Sequence, residues 1–201
     1  MLLICFFAFS FSLIANDTIS FTWKGGHFKI IASENEQFTI DWGDGSAMET
    51  KSGTGKWQLF SQNYSDSEYM VTVFAVTSDC QLTAFDCFFG KEVTSLDVKN
   101  CPSLTWLNCS GNNSLSSLDI SNNIVLKRFE CIYNQIDSLN ISNNLEITGL
   151  WCYYNQLNSL LLGDNEVLTK LDCSNNKLIT LHLDKCTSLK ELICRYNQLV
   201  T

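Results

Sequence analysis

The sequence predicts a mainly β protein in which a small β-sandwich is followed by a right-handed solenoid of about six turns. The second half repeats one apolar pattern every 21 or 22 residues. The first half instead alternates short apolar segments with turns rich in Gly, Asp and Ser, which is typical of a small sandwich. Since 45% of the residues are hydrophobic and 17% are charged, both parts can bury a core. The predicted boundaries are residues 16–80 for the sandwich and 81–201 for the solenoid.

Six units align in the second half, and each begins with an aliphatic residue: Leu82, Leu104, Leu126, Ile147, Leu168 and Leu189. A cysteine follows five residues later in each unit, at Cys87, Cys109, Cys131, Cys152, Cys173 and Cys194. Three residues further on, five units have an asparagine, and the first has Gly90: Asn112, Asn134, Asn155, Asn176 and Asn197. This register predicts that like residues stack about 4.8 Å apart, the spacing of hydrogen-bonded strands.

The second half of each unit contains two apolar residues separated by one residue, as in Leu139 and Ile141. A period of two indicates a short strand, so each turn has two extended segments joined by bends. A polar or thiol residue follows each pair: Cys101, Asn123, Asn144, Asn165 and Cys186. We expect the recurrent asparagine amides to bond backbone groups of their own and neighbouring turns, which would otherwise be buried unpaired.

The unit LxxLxCxxNxLxxLDVxxN resembles the nested 21-residue repeats of bacterial secreted leucine-rich-repeat proteins, and the resemblance covers residues 82–201. Asp97 and Asp119 keep the aspartate of the second strand. Asn140, Leu161 and His182 depart from it, so this aspartate is not needed in every turn. The resemblance implies a leucine-rich-repeat solenoid and a role in adhesion or host-surface recognition, without naming a partner.

The cysteines are expected to form a packed row of reduced thiols, because a thiol is small and apolar enough to be buried. Parallel side chains in register point the same way, which is poor geometry for disulfides. Bridges stay the alternative, because the spacing of the turns falls within the Cα range that a disulfide needs. With no CxxC pair and only His27 and His182 as histidines, we expect no metal site, and we expect no cofactor.

Apolar segments in residues 16–80 predict strands at Thr18–Trp23, His27–Ala32, Gln37–Trp42 and Tyr69–Val76. The run Phe38-TIDWGDGS and the later run Tyr64-SDSEYMVTVFAV resemble PKD-like immunoglobulin-type modules, which implies a PKD-like β-sandwich. Asp41 and Asp44 fit a tight turn better than a catalytic dyad or a calcium loop, which needs more oxygen ligands. We expect the module to cap the first solenoid turn, whose apolar face would otherwise be exposed.

Residues 1–15, Met1-LLICFFAFSFSLIA, form an apolar run that ends in the small residue Ala15 and predict a secretory signal peptide, although no Lys or Arg precedes the run. No later stretch is long enough to span a membrane. The chain is therefore expected to be secreted or held at the cell surface.

The sequence stops at Thr201 in the middle of a unit, so we expect further repeats or a cap beyond this residue.

Charge and motifs exclude several classes of function. A net charge of -8 argues against nucleic acid as a partner, because phosphate binding needs a surplus of Lys and Arg. The sequence contains no GxSxG, HExxH or glycine-rich phosphate loop, so we expect a binding protein rather than an enzyme. Two alternatives stay open: a non-catalytic repeat part of a larger secreted enzyme, and a structural spacer in a surface protein.

The third, fifth, seventh and eighth residues of LxxLxCxxN are expected to face away from the core or to border it. Many of them are aromatic or Arg, the residue types that anchor interfaces. The candidate ligand-binding residues are Trp106, Arg128, Glu130, Tyr133, Trp151, Tyr153, Tyr154, Arg195 and Tyr196, and Phe88 and Phe89 occupy these positions in the first unit. They predict recognition of a protein or glycan on the strand face, with Arg128 and Glu130 as polar flanks. The alternative is that some rings only fill gaps between turns or pack on the first domain.

Overall fold

The computed structural model describes residues 16–64, 67–88 and 93–200, so the predicted signal peptide lies outside the described residues. Within these ranges the protein is mainly β and contains no helix. Six strands precede the repeats: β1 (Thr18–Trp23), β2 (Gly25–Ala32), β3 (Gln37–Asp41), β4 (Glu49–Ser52), β5 (Gln58–Asn63) and β6 (Tyr69–Ala75). Nine lie in the repeats: β7 (Leu82–Asp86), β8 (Ser95–Asp97), β9 (Trp106–Asn108), β10 (Arg128–Glu130), β11 (Ser138–Asn140), β12 (Gly149–Trp151), β13 (Ser159–Leu161), β14 (Lys170–Asp172) and β15 (Glu191–Ile193).

The N-terminal strands belong to two packed sheets. One sheet has the order β4-β3-β6-β1-β8, and the other begins with β5-β2-β7. All pairings among β1 to β6 are antiparallel. Aromatic side chains fill the space between the sheets: the Phe21 ring lies 5.2 Å from the rings of Phe28 and Phe85, measured between centroids. Burial of such large rings is the main stabilising contribution in this part of the protein.

The turn after β3 has the residues that its geometry requires. Gly43 has a φ of 72°, and a Cβ at this position would overlap the backbone carbonyl oxygen of Met70. The Asp41 Oδ1 accepts the backbone N–H of Gly43, and the Asp44 Oδ1 accepts that of Ser46, both at 2.9 Å. Both carboxylates therefore stabilise the turn, as the sequence predicted.

The repeats form a solenoid with one short front strand per unit. The six front strands β7, β9, β10, β12, β14 and β15 are parallel and in register, and they enclose five complete turns. On the back, β11 pairs with β13, also in parallel. The central residue of each front strand points inward: Leu107, Phe129, Leu150 and Leu171 are at most 2% exposed. The register predicted from the leucine pattern is therefore confirmed.

One strand joins the two parts of the protein. β7 pairs antiparallel with β2 on one side and parallel with β9 on the other, so both parts share one eight-stranded sheet. On the back of the first turn, β8 pairs antiparallel with β1. The buried residues of both parts form one continuous core cluster. The N-terminal strands thus cover both strands of the first turn, which is what a cap must do.

Candidate ligand-binding face

The cysteine row lies inside the solenoid. In the described residues all nine cysteines are free thiols, and of this row only Cys194 is partly exposed. Burial raises the pKa of the Cys87 and Cys173 thiols to about 12. Thiols with such pKa values stay protonated near neutral pH and are poor nucleophiles. The row is therefore a packing element, as expected from the sequence.

The asparagine row connects consecutive turns. The Asn155 amide donates to the carbonyl oxygens of Cys131 at 2.8 Å and Cys152 at 3.1 Å. Its Oδ1 accepts the backbone N–H of Ile136 at 3.1 Å. The same donation to the cysteine carbonyls of two turns occurs at Asn112, Asn134, Asn176 and Asn197. These hydrogen bonds satisfy buried backbone groups, as the sequence predicted.

The front strands place the third and fifth residues of each unit on the outer face of the sheet. The third-position row reads Ala84, Trp106, Arg128, Gly149, Lys170 and Glu191. The fifth-position row reads Asp86, Asn108, Glu130, Trp151, Asp172 and Ile193. Residues that are a full repeat apart in sequence thereby become neighbours, and the candidate residues of successive units lie side by side.

Arg128 lies between two tryptophans. Its guanidinium carbon is 4.9 Å from the ring centroid of Trp106 and 4.9 Å from that of Trp151. The Arg128 Nε donates to the Glu130 Oε1 at 2.7 Å, and the Trp106 Nε1 donates to the same oxygen at 3.4 Å. Two cation–π contacts and an ion pair therefore fix one side chain. Arg128 therefore lies between two aromatic side chains rather than beside them as a polar flank.

Trp151 reaches Arg128 because the position between them has no side chain. Gly149 lies in the third-position row between Arg128 and Lys170. A Cβ on Gly149 would be only 2.5 Å from the Trp151 indole, which lies over this glycine. Glycine is therefore needed here for the close approach of a ring to the backbone.

Trp57 belongs to this face although the sequence did not predict it. Its ring centroid is 5.0 Å from that of Trp106, with the two planes at 76°. Trp57 directly precedes β5, which lies at the edge of the shared sheet with β2 and β7 between it and β9. On β7, Ala84 has the same outward register as Trp106 and is only 2% exposed, so it is covered. No sequence signal could show this contact, because it depends on the order of strands that are distant in sequence.

Three tyrosines form a second cluster on the face. Tyr133 and Tyr154 stack in parallel, with centroids 4.5 Å apart and planes 8° apart. Tyr153 meets both rings edge-on, with centroid distances of 6.1 and 5.8 Å. Burial raises the pKa of Tyr153, and the charges of Asp172 and Glu130 raise it further. The tyrosine cluster therefore adjoins the carboxylates of the fifth-position row.

Tyrosines at the eighth position have a left-handed backbone. The φ angle is 53° at Tyr133, 54° at Tyr154 and 57° at Tyr196. The same position holds Gly111 and Asn175, residue types that adopt this conformation at low cost. For other residues it costs roughly 1–2 kcal/mol. Three tyrosines at such positions indicate that their side chains serve a purpose other than forming the turn.

The remaining candidate residues lie in the last unit and in the first unit. Arg195 and Tyr196 contact each other, with the guanidinium carbon 5.9 Å from the ring centroid. Tyr196 is 73% exposed. At the seventh position Ser110, Ile132 and Ser174 are buried, so this position borders the core rather than facing away from it. In the first unit Phe88 is exposed, and Phe89 lies outside the described residues.

Among the described residues, no group of three or more His, Cys, Asp or Glu side chains is arranged to hold a metal ion. In these ranges, no helix has the length and apolar character needed to cross a membrane. On the back of the solenoid, Lys99 and Asp119 form an ion pair at 3.3 Å with both side chains about half exposed, and such a pair contributes little to stability.

Comparison with known proteins gives a structural neighbour. The chain is similar to a structure described as the functional domain of InlJ from Listeria monocytogenes, which includes a cysteine ladder. The two share 31% sequence identity with a TM-score of 0.52, over 60% of this chain and 31% of the InlJ chain. No family model and no curated protein matches the chain. The likeness and the stacked repeats together show a leucine-rich-repeat-like solenoid.

Proposed function

We propose that this chain is a secreted or cell-surface binding protein that recognises a protein or glycan through the strand face of its solenoid, in a role such as adhesion. The observation that carries the proposal is the set of tyrosines with left-handed backbone, Tyr133, Tyr154 and Tyr196. Each is at least 45% exposed, so packing in the core does not explain its presence. An exposed aromatic residue kept at a strained position is best explained by contact with a ligand.

The ordered side chains beside these tyrosines support the proposal. Arg128 is held by Trp106, Trp151 and Glu130 before any ligand arrives. A side chain fixed in advance loses little entropy on binding, which favours affinity. Trp, Tyr and Arg are also the residues that contribute most binding energy at protein interfaces.

Two other functions explain less of this face. A structural spacer would not need strained, exposed tyrosines, since Gly or Asn forms the same turn at lower cost. A repeat part of a larger secreted enzyme is compatible with the face, because such a part also binds. In either case we propose no catalytic role for these residues, and no cofactor.

The N-terminal part and the leader complete the proposal. We propose that residues 16–80 are a PKD-like module, supported by the W-G-D-G turn and the two packed sheets that contain it. The module caps the solenoid through β1 and β2. Residues 1–15 would direct export as a signal peptide.

The test compares binding with stability in one double variant. The unaltered chain and the double variant Trp151→Ala/Tyr153→Ala are each applied to arrays of extracellular proteins and of glycans. We expect each substitution to weaken binding by about 2 kcal/mol or more, as for anchoring residues of interfaces. Melting temperature should fall far less than for a core substitution, because Trp151 lies on the outer face and Tyr153 only borders the core.

Leu161→Ala is the matched control. Leu161 is 53% exposed on the back strand β13, so its loss removes an exposed apolar side chain away from the front face. This variant should bind like the unaltered chain. Unchanged affinity of the double variant together with a collapse of its melting temperature would show that the face is structural and that the binding proposal is wrong.

A further inference from the structure

The aromatic rings of the front face are already engaged with each other. The flat faces of Tyr133 and Tyr154 lie against one another, and the guanidinium of Arg128 covers one face each of Trp106 and Trp151. A sugar ring binds an aromatic side chain by lying flat on an open face. One face of each of these four rings is therefore already occupied, which favours a protein surface over a stacked sugar ring as the ligand.

Arg128 presents a directed pair of donors at the centre of the strip. The two indoles cover the faces of its guanidinium, and Glu130 takes only the Nε–H. The side chain is still 50% exposed. Neither terminal amino group has a protein partner among the described residues. A planar fork of this kind matches a carboxylate, which can accept from both amino groups at once.

The charges around Arg128 favour a singly charged anion over a more highly charged one. Glu130 is paired to Arg128, and Asp172 lies in the same fifth-position row, two strands away. These carboxylates repel a phosphate dianion more strongly than a singly charged carboxylate. A polyanion is disfavoured further by the net charge of -8. The face thus offers one oriented cation between aromatic rings, with carboxylates nearby that disfavour a polyanion.

We propose that the ligand is a protein segment that presents an Asp or Glu carboxylate to the terminal amino groups of Arg128, with apolar neighbours packed on Tyr133 and Tyr154. This inference rests on the proposed function of the face and names the chemistry of its partner. The carboxylate supplies orientation, because its hydrogen bonds have one geometry. The flanking apolar residues supply contact area on the tyrosine edges.

The probe is a displayed library of random linear twelve-residue peptides, selected on the full chain. We expect selected peptides to share an Asp or Glu at one register, flanked by apolar residues. Changing that acid to its amide should weaken binding about tenfold or more, the usual effect of a charge-assisted hydrogen bond at an interface. Arg128→Gln should cause a similar loss, and the two changes together should cost little more than either alone.

Two further variants separate geometry from charge. Arg128→Lys keeps the positive charge but loses the planar fork, so it should also lose most of the affinity. Lys170 lies on β14 in the same third-position row and pairs with Glu191. Lys170→Gln therefore removes a cation from this row and should change affinity by less than about twofold. Melting temperatures of all variants show whether they remain folded.

The outcomes distinguish the inference from the proposed function. Peptides without a shared acid, or with affinity unaffected by Arg128→Gln, overturn the carboxylate inference. If Trp151→Ala/Tyr153→Ala still abolishes their binding, the face remains the binding site. If neither Arg128→Gln nor Trp151→Ala/Tyr153→Ala weakens peptide binding, both the carboxylate inference and the proposed function are wrong. If no peptide is selected while an acidic glycan array captures the chain, the partner is a glycan and the protein segment is wrong.

Discussion

The inner and outer rows of the solenoid follow opposite rules although the same strands carry them. The inner rows repeat one residue type, Cys at the sixth position and Asn at the ninth. The outer third-position row changes at every turn, from Trp106 to Arg128 to Gly149. Inside, every turn has the same packing and hydrogen-bonding requirement, so the same residue recurs. Outside, the fold imposes no such requirement, and the residues there are free to serve recognition.

The largest effect is expected from the inner leucines. Leu171→Ala and Leu150→Ala should each lower the free energy of unfolding by about 2–5 kcal/mol, because both side chains are covered by turns on either side. Leu192 holds the same position in β15 but is 41% exposed, so Leu192→Ala should cost less than about 1 kcal/mol. Urea unfolding measures all three. Equal losses would contradict the difference in burial.

The asparagine row should show a smaller effect of the same kind. Asn155→Ala leaves the buried N–H of Ile136 without a partner and removes one of the two amide donors to each of the carbonyls of Cys131 and Cys152. Leaving buried polar groups unpaired should lower the free energy of unfolding by about 1–3 kcal/mol. Asn158 is exposed in the same unit, so Asn158→Ala is the control and should stay within about 0.5 kcal/mol. A similar loss in both variants would argue against the bridging role.

A substitution at Gly149 tests the outer row alone. Gly149→Ala pushes the Trp151 indole away from Arg128, while the backbone conformation needs no change. We expect altered tryptophan fluorescence and about tenfold weaker ligand binding, since one side of the Arg128 stack is lost. Stability should change by less than about 1 kcal/mol, because the site is on the outer face. Unchanged fluorescence would show that the indole does not lie over this glycine in solution.

The thiols provide the smallest and most local test. Native labelling with a thiol reagent should modify Cys194 first, because it is partly exposed, and the other cysteines of its row only after unfolding. The pKa of Cys173, about 12, lies far above the assay range, so raising the pH from 7 to 9 should leave its thiolate fraction small. Rapid native modification of the whole row, or a mass lowered by pairs of hydrogens, would indicate exposure or disulfides instead.

Repetition decided how much could be predicted from the sequence. The register of the solenoid and four of the N-terminal strands follow from apolar periodicity, because each has a buried face. The strands β4 and β5 were missed: no residue of Glu49–Ser52 or Gln58–Asn63 is fully buried, and neither segment alternates apolar with polar residues. The clustering of Trp106 with Arg128 could be anticipated from the repeat length. Its contact with Trp57 could not, since nothing in the sequence specifies that β5 and β2 extend the solenoid sheet.

The asparagine bridges give the stack a direction of assembly. Each amide donates back to the carbonyl of the turn before it. At Asn112, Asn155, Asn176 and Asn197 the Oδ1 also accepts an N–H from that turn, as Asn176 does with Leu157. A turn is therefore complete only when the next one has docked on it. During synthesis from the N-terminus, the N-terminal strands would present a completed surface, and each new repeat would complete the hydrogen bonds of the repeat before it. The solenoid would therefore fold from its N-terminal end. Disruption of one repeat would also remove hydrogen bonds from the repeat before it.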